Sequence, residues 1–178
     1  PGQLDNVSAE QVYAAANRVS PSLIRVEADE CTYNLHVVLR FEIEKALIER
    51  ELDVADVPAA WNERVKQYLD LDVPDDAQGC LQDVHWSHAS MGYFPTYALG
   101  NLYAAQLFEA VAHDLPDMWA HVRAGRFAPL LDWLREHVHR VGRRKAAAQI
   151  VEEASGRSPD AEAFLRYLKA KYQDVYGV

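Results

Sequence analysis

The run Gly79-Cys80-Leu81-Gln82-Asp83-Val84-His85-Trp86-Ser87-His88-Ala89-Ser90-Met91-Gly92-Tyr93-Phe94-Pro95-Thr96-Tyr97-Ala98-Leu99-Gly100-Asn101 concentrates more chemistry than any other part of the chain. Asp83 stands two residues before His85, a spacing at which a carboxylate can fix an imidazole tautomer and raise its basicity. Trp86, Tyr93, Phe94 and Tyr97 offer flat apolar surface, and the tyrosines add hydroxyl donors. Pro95 suits the first turn of a helix, where its missing N–H would have no partner anyway. A polar, aromatic, glycine-punctuated loop that feeds a helix reads as one wall of a binding pocket. The plainer alternative is packing around a turn, with Asp83 and His85 joined by a local hydrogen bond.

Outward from this run the chain reads as helices. Residues 8–19 open on Ser8 with Gln11 three later, the capping-box spacing, and Pro21 closes the segment. Residues 22–27 read as a short extended piece. Residues 29–51 form the clearest long helix, with Leu35, Val38, Leu39, Ile43, Ala46 and Leu47 as its apolar face. Thr32, His36, Arg40 and Glu44 fall four apart on the same helix. They make one polar stripe, either a solvated face or the floor of a cleft. Pro58 starts a further helix with Trp61, Val65, Tyr68 and Leu69 inward. An acidic loop over 71–78 leads into the central run. Beyond it, helices are expected over 95–113, 116–124 and 127–140, then a short segment near 145–154, and a last helix opened by Ser158-Pro159-Asp160. The expectation is an all-α, bundle-like single domain over residues 1–178.

Composition narrows the function. The chain has 178 residues, 49% of them hydrophobic and 25% charged, as in ordinary globular proteins. A net charge of −9 argues against a nucleic-acid partner, which calls for a basic surface. No apolar run reaches the length of a membrane span. Two cysteines make neither a disulfide framework nor a zinc ribbon, and no secretory leader is visible. The cytoplasm is the expected compartment. Arg140, Arg143, Arg144 and Lys145 read as a solvated helix end.

Three stretches together resemble the Taq-type metallocarboxypeptidases. They are Ile24-Arg25-x-x-Ala28-Asp29 with its continuation to Thr32-Tyr33-Asn34-Leu35-His36, the Gly79, Gln82-Asp83, His85-Trp86 set, and Gly92-Tyr93-Phe94-Pro95-Thr96-Tyr97. Ala89 stands where a glycine is usual, and Cys31 and Cys80 where aliphatic residues are usual. The resemblance implies a helical zinc peptidase, active with zinc or cobalt and dimeric, that removes C-terminal amino acids from peptides. It implies that Arg25 holds the substrate's terminal carboxylate. His85, positioned by Asp83, and Tyr93 or Tyr97 steady the peptide or the oxyanion. Asp29, His36 and Gln82 join the substrate-binding set, and Tyr33 moves toward the cleft with His36. Read without the resemblance, Arg25 is a structural arginine paired with Glu27, Asp29 or a more distant acid.

A zinc peptidase of this kind needs His-Glu-x-x-His on one helix. No such sequence occurs here. His85 with His88, and His137 with His139, have no glutamate at the required offset. In the family that sequence lies N-terminal to the Arg25 signature, so the chain is expected to be a C-terminal portion. It would keep substrate-pocket parts, bind no metal, and be inactive without the rest of the protein. The rival reading is a non-enzymatic helical interaction or dimerisation domain.

Overall fold

The computed structural model describes Gly2 and residues 5–177. Among the described residues, eight α-helices follow in order: α1 (Ala9–Ala16), α2 (Glu30–Ile48), α3 (Val57–Leu69), α4 (Pro95–Asp114), α5 (Met118–Arg123), α6 (Ala128–Leu134), α7 (Ala147–Ser155) and α8 (Glu162–Tyr176). No strand occurs among the described residues, so the all-α expectation holds. The extended piece expected over 22–27 is instead an extended Ile24 followed by a 3₁₀ turn, Arg25–Glu27. None of the described helices is long and apolar enough to cross a membrane.

The sequence marks no boundary, yet contacts group the chain into two compact units. The first runs to Ala98 and regains the chain from Lys171; the second is Leu99–Ala170. In the first, α1 opens with the expected capping box: the Gln11 N–H donates to Ser8 Oγ, and the Ser8 N–H to Gln11 Oε1. The helix stops at Ala16, well before Pro21. The core of this unit comes from α2 and α3. Leu39 and Ile43 pack with Val57, Trp61, Val65 and Leu69, and Cys80 closes the cluster. Each large apolar side chain so buried contributes about 1.5–3 kcal/mol. Gly79 cannot carry a side chain cheaply, because a Cβ there would meet Val73 Cγ1 at 2.9 Å and the Asp75 carbonyl oxygen at 3.1 Å.

The reading of α2 needs correction. Thr32, His36, Arg40 and Glu44 are all buried, while Leu35 and Val38, assigned to the inner face, are exposed. The apolar surface of this helix continues around both sides. Its inward side is therefore decided by what can pair with the polar stripe rather than by hydrophobicity.

In the second unit Val111, Met118 and Trp133 form a small core. Buried Gln106 bridges segments there, donating to Ser155 Oγ at 2.8 Å and the Arg157 carbonyl at 2.9 Å and accepting from the Asp160 N–H at 3.2 Å. α6 runs on through one π-helical turn, Arg135–His139. Asp160, not Ser158, caps α8: its Oδ1 accepts from the Glu162 N–H, while the Ser158 hydroxyl donates to Glu152. The basic cluster is exposed as expected, with Arg144 donating to the carbonyls of Arg140 and Val141.

Ala89 ends the 3₁₀ turn Trp86–His88 at φ 56°, ψ 28°, in the left-handed region. A side chain there costs roughly 1–2 kcal/mol, partly offset by its lower unfolded-state entropy. Ala89→Gly should raise stability by about 1 kcal/mol, read as a higher urea midpoint at unchanged slope. A lower midpoint would show that the turn is not held in this conformation.

Candidate functional site

α2 begins where Asp29 caps it. Asp29 Oδ1 accepts from the N–H groups of Cys31 (2.9 Å) and Thr32 (3.0 Å), and Oδ2 from the Thr32 hydroxyl and the Ser20 N–H. Partial burial pushes its pKa up, but the Ser20 and Thr32 N–H groups outweigh this and hold it below the usual carboxylate value. Asp29 thus acts as a helix cap that also ties down the preceding loop.

Along the inner stripe the central run is pinned residue by residue. Gln82 reads the backbone around Arg25: its Oε1 accepts from the Arg25 N–H (3.1 Å) and its Nε2 donates to the Leu23 carbonyl (2.8 Å). Asp83 Oδ1 accepts from Arg25 Nη2 (2.8 Å) and Nε (3.2 Å), and Oδ2 from Arg40 Nε (2.6 Å), with Arg40 Nη2 at 2.5 Å. Arg40 Nη1 donates to the His36 carbonyl, and its guanidinium lies 4.5 Å from the Trp61 ring centre. One turn further, Glu44 accepts from Trp86 Nε1 (2.8 Å) and the Gly92 N–H (3.1 Å). The loop is therefore tied to α2 at two points one turn apart.

Sequence proximity suggested that Asp83 orients His85. The structure corrects this: His85 Nδ1 lies 3.8 Å from Asp83 Oδ1 and has no hydrogen-bond partner. Two guanidiniums are stronger partners for a buried carboxylate than one imidazole. His85 is held instead by Tyr97, whose hydroxyl is 3.1 Å from Nε2, and by the Phe94 ring at 4.3 Å between centroids. Tyr93 stacks beside it at 5.9 Å and is half exposed. Arg25 links the two halves of the site. Nη1 donates to the Tyr33 hydroxyl (3.0 Å), and its guanidinium lies 5.1 Å from the Tyr97 ring centre. Nε, Nη1 and Nη2 each give one bond, using three of a guanidinium's five N–H groups.

The charges follow from these contacts. Burial raises the Asp83 pKa, but the hydrogen bond from Arg25 and the charge of Arg40 outweigh it and leave it below the usual value. Burial lowers Arg40 to about 10, against the pull of Asp83, so it stays cationic at neutral pH. His36 is pushed down to about 4, first by burial and then by the Arg40 charge, and is neutral. Two cations then face one anion, so this trio carries a net positive charge.

The structure brings Arg25, Gln82, Asp83, His85, Tyr93 and Tyr97 together, with Tyr33 beside them and His36 on the stripe beneath. Asp29 sits at the helix cap. Arg40 and Glu44 had no assigned role from sequence, although the four-residue spacing of their stripe was the signal that could have supplied one. His88 is exposed, and among the described residues no three His, Cys, Asp or Glu side chains come together as a metal requires. These residues therefore do not fit a metal. Two shallow clefts, of about 340 and 330 Å³, lie in the second unit and hold none of the predicted residues.

The model of the family described as Carboxypeptidase Taq (M32) metallopeptidase matches residues 1–172. Thermostable carboxypeptidase 1 of Thermus thermophilus is 47% identical over 174 residues, which are 98% of this chain and 34% of that protein. Carboxypeptidase 1 of Bacillus subtilis is 44% identical, with 99% and 35% covered. The M32 carboxypeptidase from Deinococcus radiodurans superposes with a TM-score of 0.95 at 43% identity, over 99% of this chain and 36% of its own. The chain thus spans about a third of the length of the curated relatives it matches.

Two outcomes follow from the site. Asp83→Asn leaves two buried cations without a counter-charge and should cost about 3–5 kcal/mol in urea unfolding, against about 1 kcal/mol for His85→Ala. Equal losses would return Asp83 to the role of His85 orienter. Because the folded pKa of His36 is depressed, protonation favours the unfolded chain. The stability it contributes is intact above pH 6.5 and lost as pH falls toward 4, by up to roughly 3 kcal/mol. His36→Gln should flatten that part of the stability profile, and an unchanged slope would contradict burial of a neutral imidazole.

Proposed function

This chain belongs to the Carboxypeptidase Taq (M32) metallopeptidase family, and on that premise we propose that it builds the substrate-side wall of a zinc-dependent carboxypeptidase that releases C-terminal amino acids from peptides. The observation that carries this reading is Arg25. Its guanidinium is oriented by Asp83 and Tyr33, keeps N–H groups beyond those bonds, and sits in a trio with an excess of positive charge. A carboxylate is the natural ligand for such a fork. Only a peptide's free C-terminus places a main-chain carboxylate next to the scissile bond, so this contact selects an exopeptidase over an endopeptidase.

The neighbouring side chains take the remaining tasks of this chain. His85 and Tyr97 share one hydrogen bond and face the same aromatic cluster as Tyr93. They hold the peptide next to Arg25 or donate to the carbonyl oxygen as it gains charge. In the whole enzyme zinc, with cobalt as the alternative, would be held by ligands supplied by the rest of the protein and would polarise the scissile carbonyl and activate water. The purified chain is therefore inactive by itself.

An N-blocked dipeptide incubated with the purified chain should release no amino acid, with or without zinc or cobalt. Release under any metal condition that survives removal of contaminating peptidases would contradict the reading. In an enzyme that joins this chain to the metal-binding part, Arg25→Ala should lower kcat/KM for free-acid peptides by about 100-fold, the loss of a charged hydrogen-bonded contact. C-terminally amidated peptides should be little affected, and an equal loss on both would remove the carboxylate role.

A further inference from the structure

Glu44 is the acidic member of the buried stripe on α2, and the Arg25 cluster does not use it. It lies one turn beyond Arg40 and is 3% exposed. Its two oxygens serve two donors from a single loop, Oε1 the Trp86 Nε1–H and Oε2 the Gly92 N–H. Between those donors the chain makes the 3₁₀ turn Trp86–His88 and reverses through Ala89 in the left-handed region. Gly92 follows at φ 75°, a conformation that suits glycine. One carboxylate thus closes the neck of the 86–92 loop. The residues just outside the neck are the two that face the peptide in the function proposed above: His85 precedes Trp86, and Tyr93 follows Gly92. Their rings stack with centroids 5.9 Å apart and planes at 29°. The Trp86 ring is itself seated edge-on against Trp61 at 6.0 Å and Phe94 at 6.2 Å. A shift at either end of the neck therefore moves one ring of the His85 and Tyr93 pair against the other.

We propose that Glu44 is a positioning residue of the carboxypeptidase reaction, which sets the spacing of His85 and Tyr93 by closing the neck of the 86–92 loop. The inference rests on the function proposed above and divides the stripe on α2 into two tasks. Arg40, through Asp83, orients Arg25, the group that holds the terminal carboxylate. Glu44 orients the groups that act next to the scissile bond. The first task is felt in binding of free-acid peptides. The second is felt in turnover, because alignment at the reacting carbonyl counts most in the transition state. A carboxylate suits the neck because it is acceptor-only at both ends. An amide offers one acceptor end and one donor end, so a glutamine here can serve only one of the two N–H groups.

Two measurements test the proposal. In the purified chain, Glu44→Gln should shift the NMR ring signals of His85 and Tyr93 and leave the Nε–H signals of Arg25 and Arg40 in place. Ring signals that do not move would overturn it, and so would arginine signals that move with them, since the substitution would then act on the whole unit. In an enzyme that joins this chain to the metal-binding part, Glu44→Gln should lower kcat about 10- to 100-fold with KM for free-acid peptides unchanged. The preference for free-acid over amidated peptides should be kept. With His85→Ala and Tyr93→Ala already present, the same substitution should cost less than about 2-fold, because its effect passes through those rings. A loss that persists undiminished in that background, or one carried by KM, gives Glu44 a purely structural role and overturns the proposal. Trp86→Phe removes one of the two donors and keeps an aromatic ring; it should reproduce the pattern from the other end of the neck, and it replaces Glu44→Gln if that variant does not fold. If the joined enzyme with every residue intact releases no amino acid, the proposed function fails, and the ring signals alone then decide the role of Glu44.

Discussion

A single carboxylate, Asp83, stands between two guanidiniums that are almost wholly removed from water. Leaving either cation unpaired would cost several kcal/mol, which few small domains could absorb. The arrangement is stable because both oxygens of Asp83 are used, Oδ1 by Arg25 and Oδ2 by Arg40. The consequence reaches beyond the trio. Arg40 is fixed on α2 and Arg25 on the turn before it, so the loop that carries Asp83 can lie in only one place. Glu44 repeats the device one helical turn on, holding the Trp86 indole and the Gly92 backbone. With the loop pinned at both points, Phe94 is buried and His85 is delivered to Tyr97.

This architecture bears directly on charge. The chain as a whole is acidic, at −9, yet the buried trio has one more cation than anion, and His36 beneath it stays neutral. The excess of positive charge is therefore a local property, built where low polarity strengthens electrostatic contacts and screening by salt is weak. A long-range field would favour the opposite ligand. The ligand proposed above, the carboxylate end of a peptide on a neutral or apolar carrier, fits that contrast better than a phosphate-rich polymer does.

The helices were largely legible in the sequence because their ends are local events. Ser8 with Gln11, Pro58, and Pro95 each act through neighbours within one turn. The Ile24-Arg25 and Gln82-Asp83-x-His85-Trp86 sets also identified the family, since their order is specific. What the sequence did not disclose is pairing across distance. Asp83 is two residues from His85 but 43 from Arg40 and 58 from Arg25, and proximity along the chain favoured the wrong partner. The orientation of α2 was hidden for a related reason. A helix with apolar residues on both sides gives no periodic signal for which side is covered. The buried side was set by Arg40 and Glu44 finding partners in a loop far along the chain, while Thr32 bonds locally to Asp29. Ala89 illustrates the reverse case: a turn that favours glycine keeps its shape with alanine because Trp86 and Gly92 anchor it on both flanks.

The most direct test of Asp83 as the shared counter-ion is an NMR spectrum of the arginine Nε–H groups in the intact chain and in Asp83→Asn. Two Nε–H signals, those of Arg25 and Arg40, are expected to exchange slowly with water near neutral pH. Both should shift and lose protection together in the variant. If Arg25 Nε–H exchanges as fast as the exposed arginines, or if only one of the two signals responds to the substitution, Asp83 does not hold both cations.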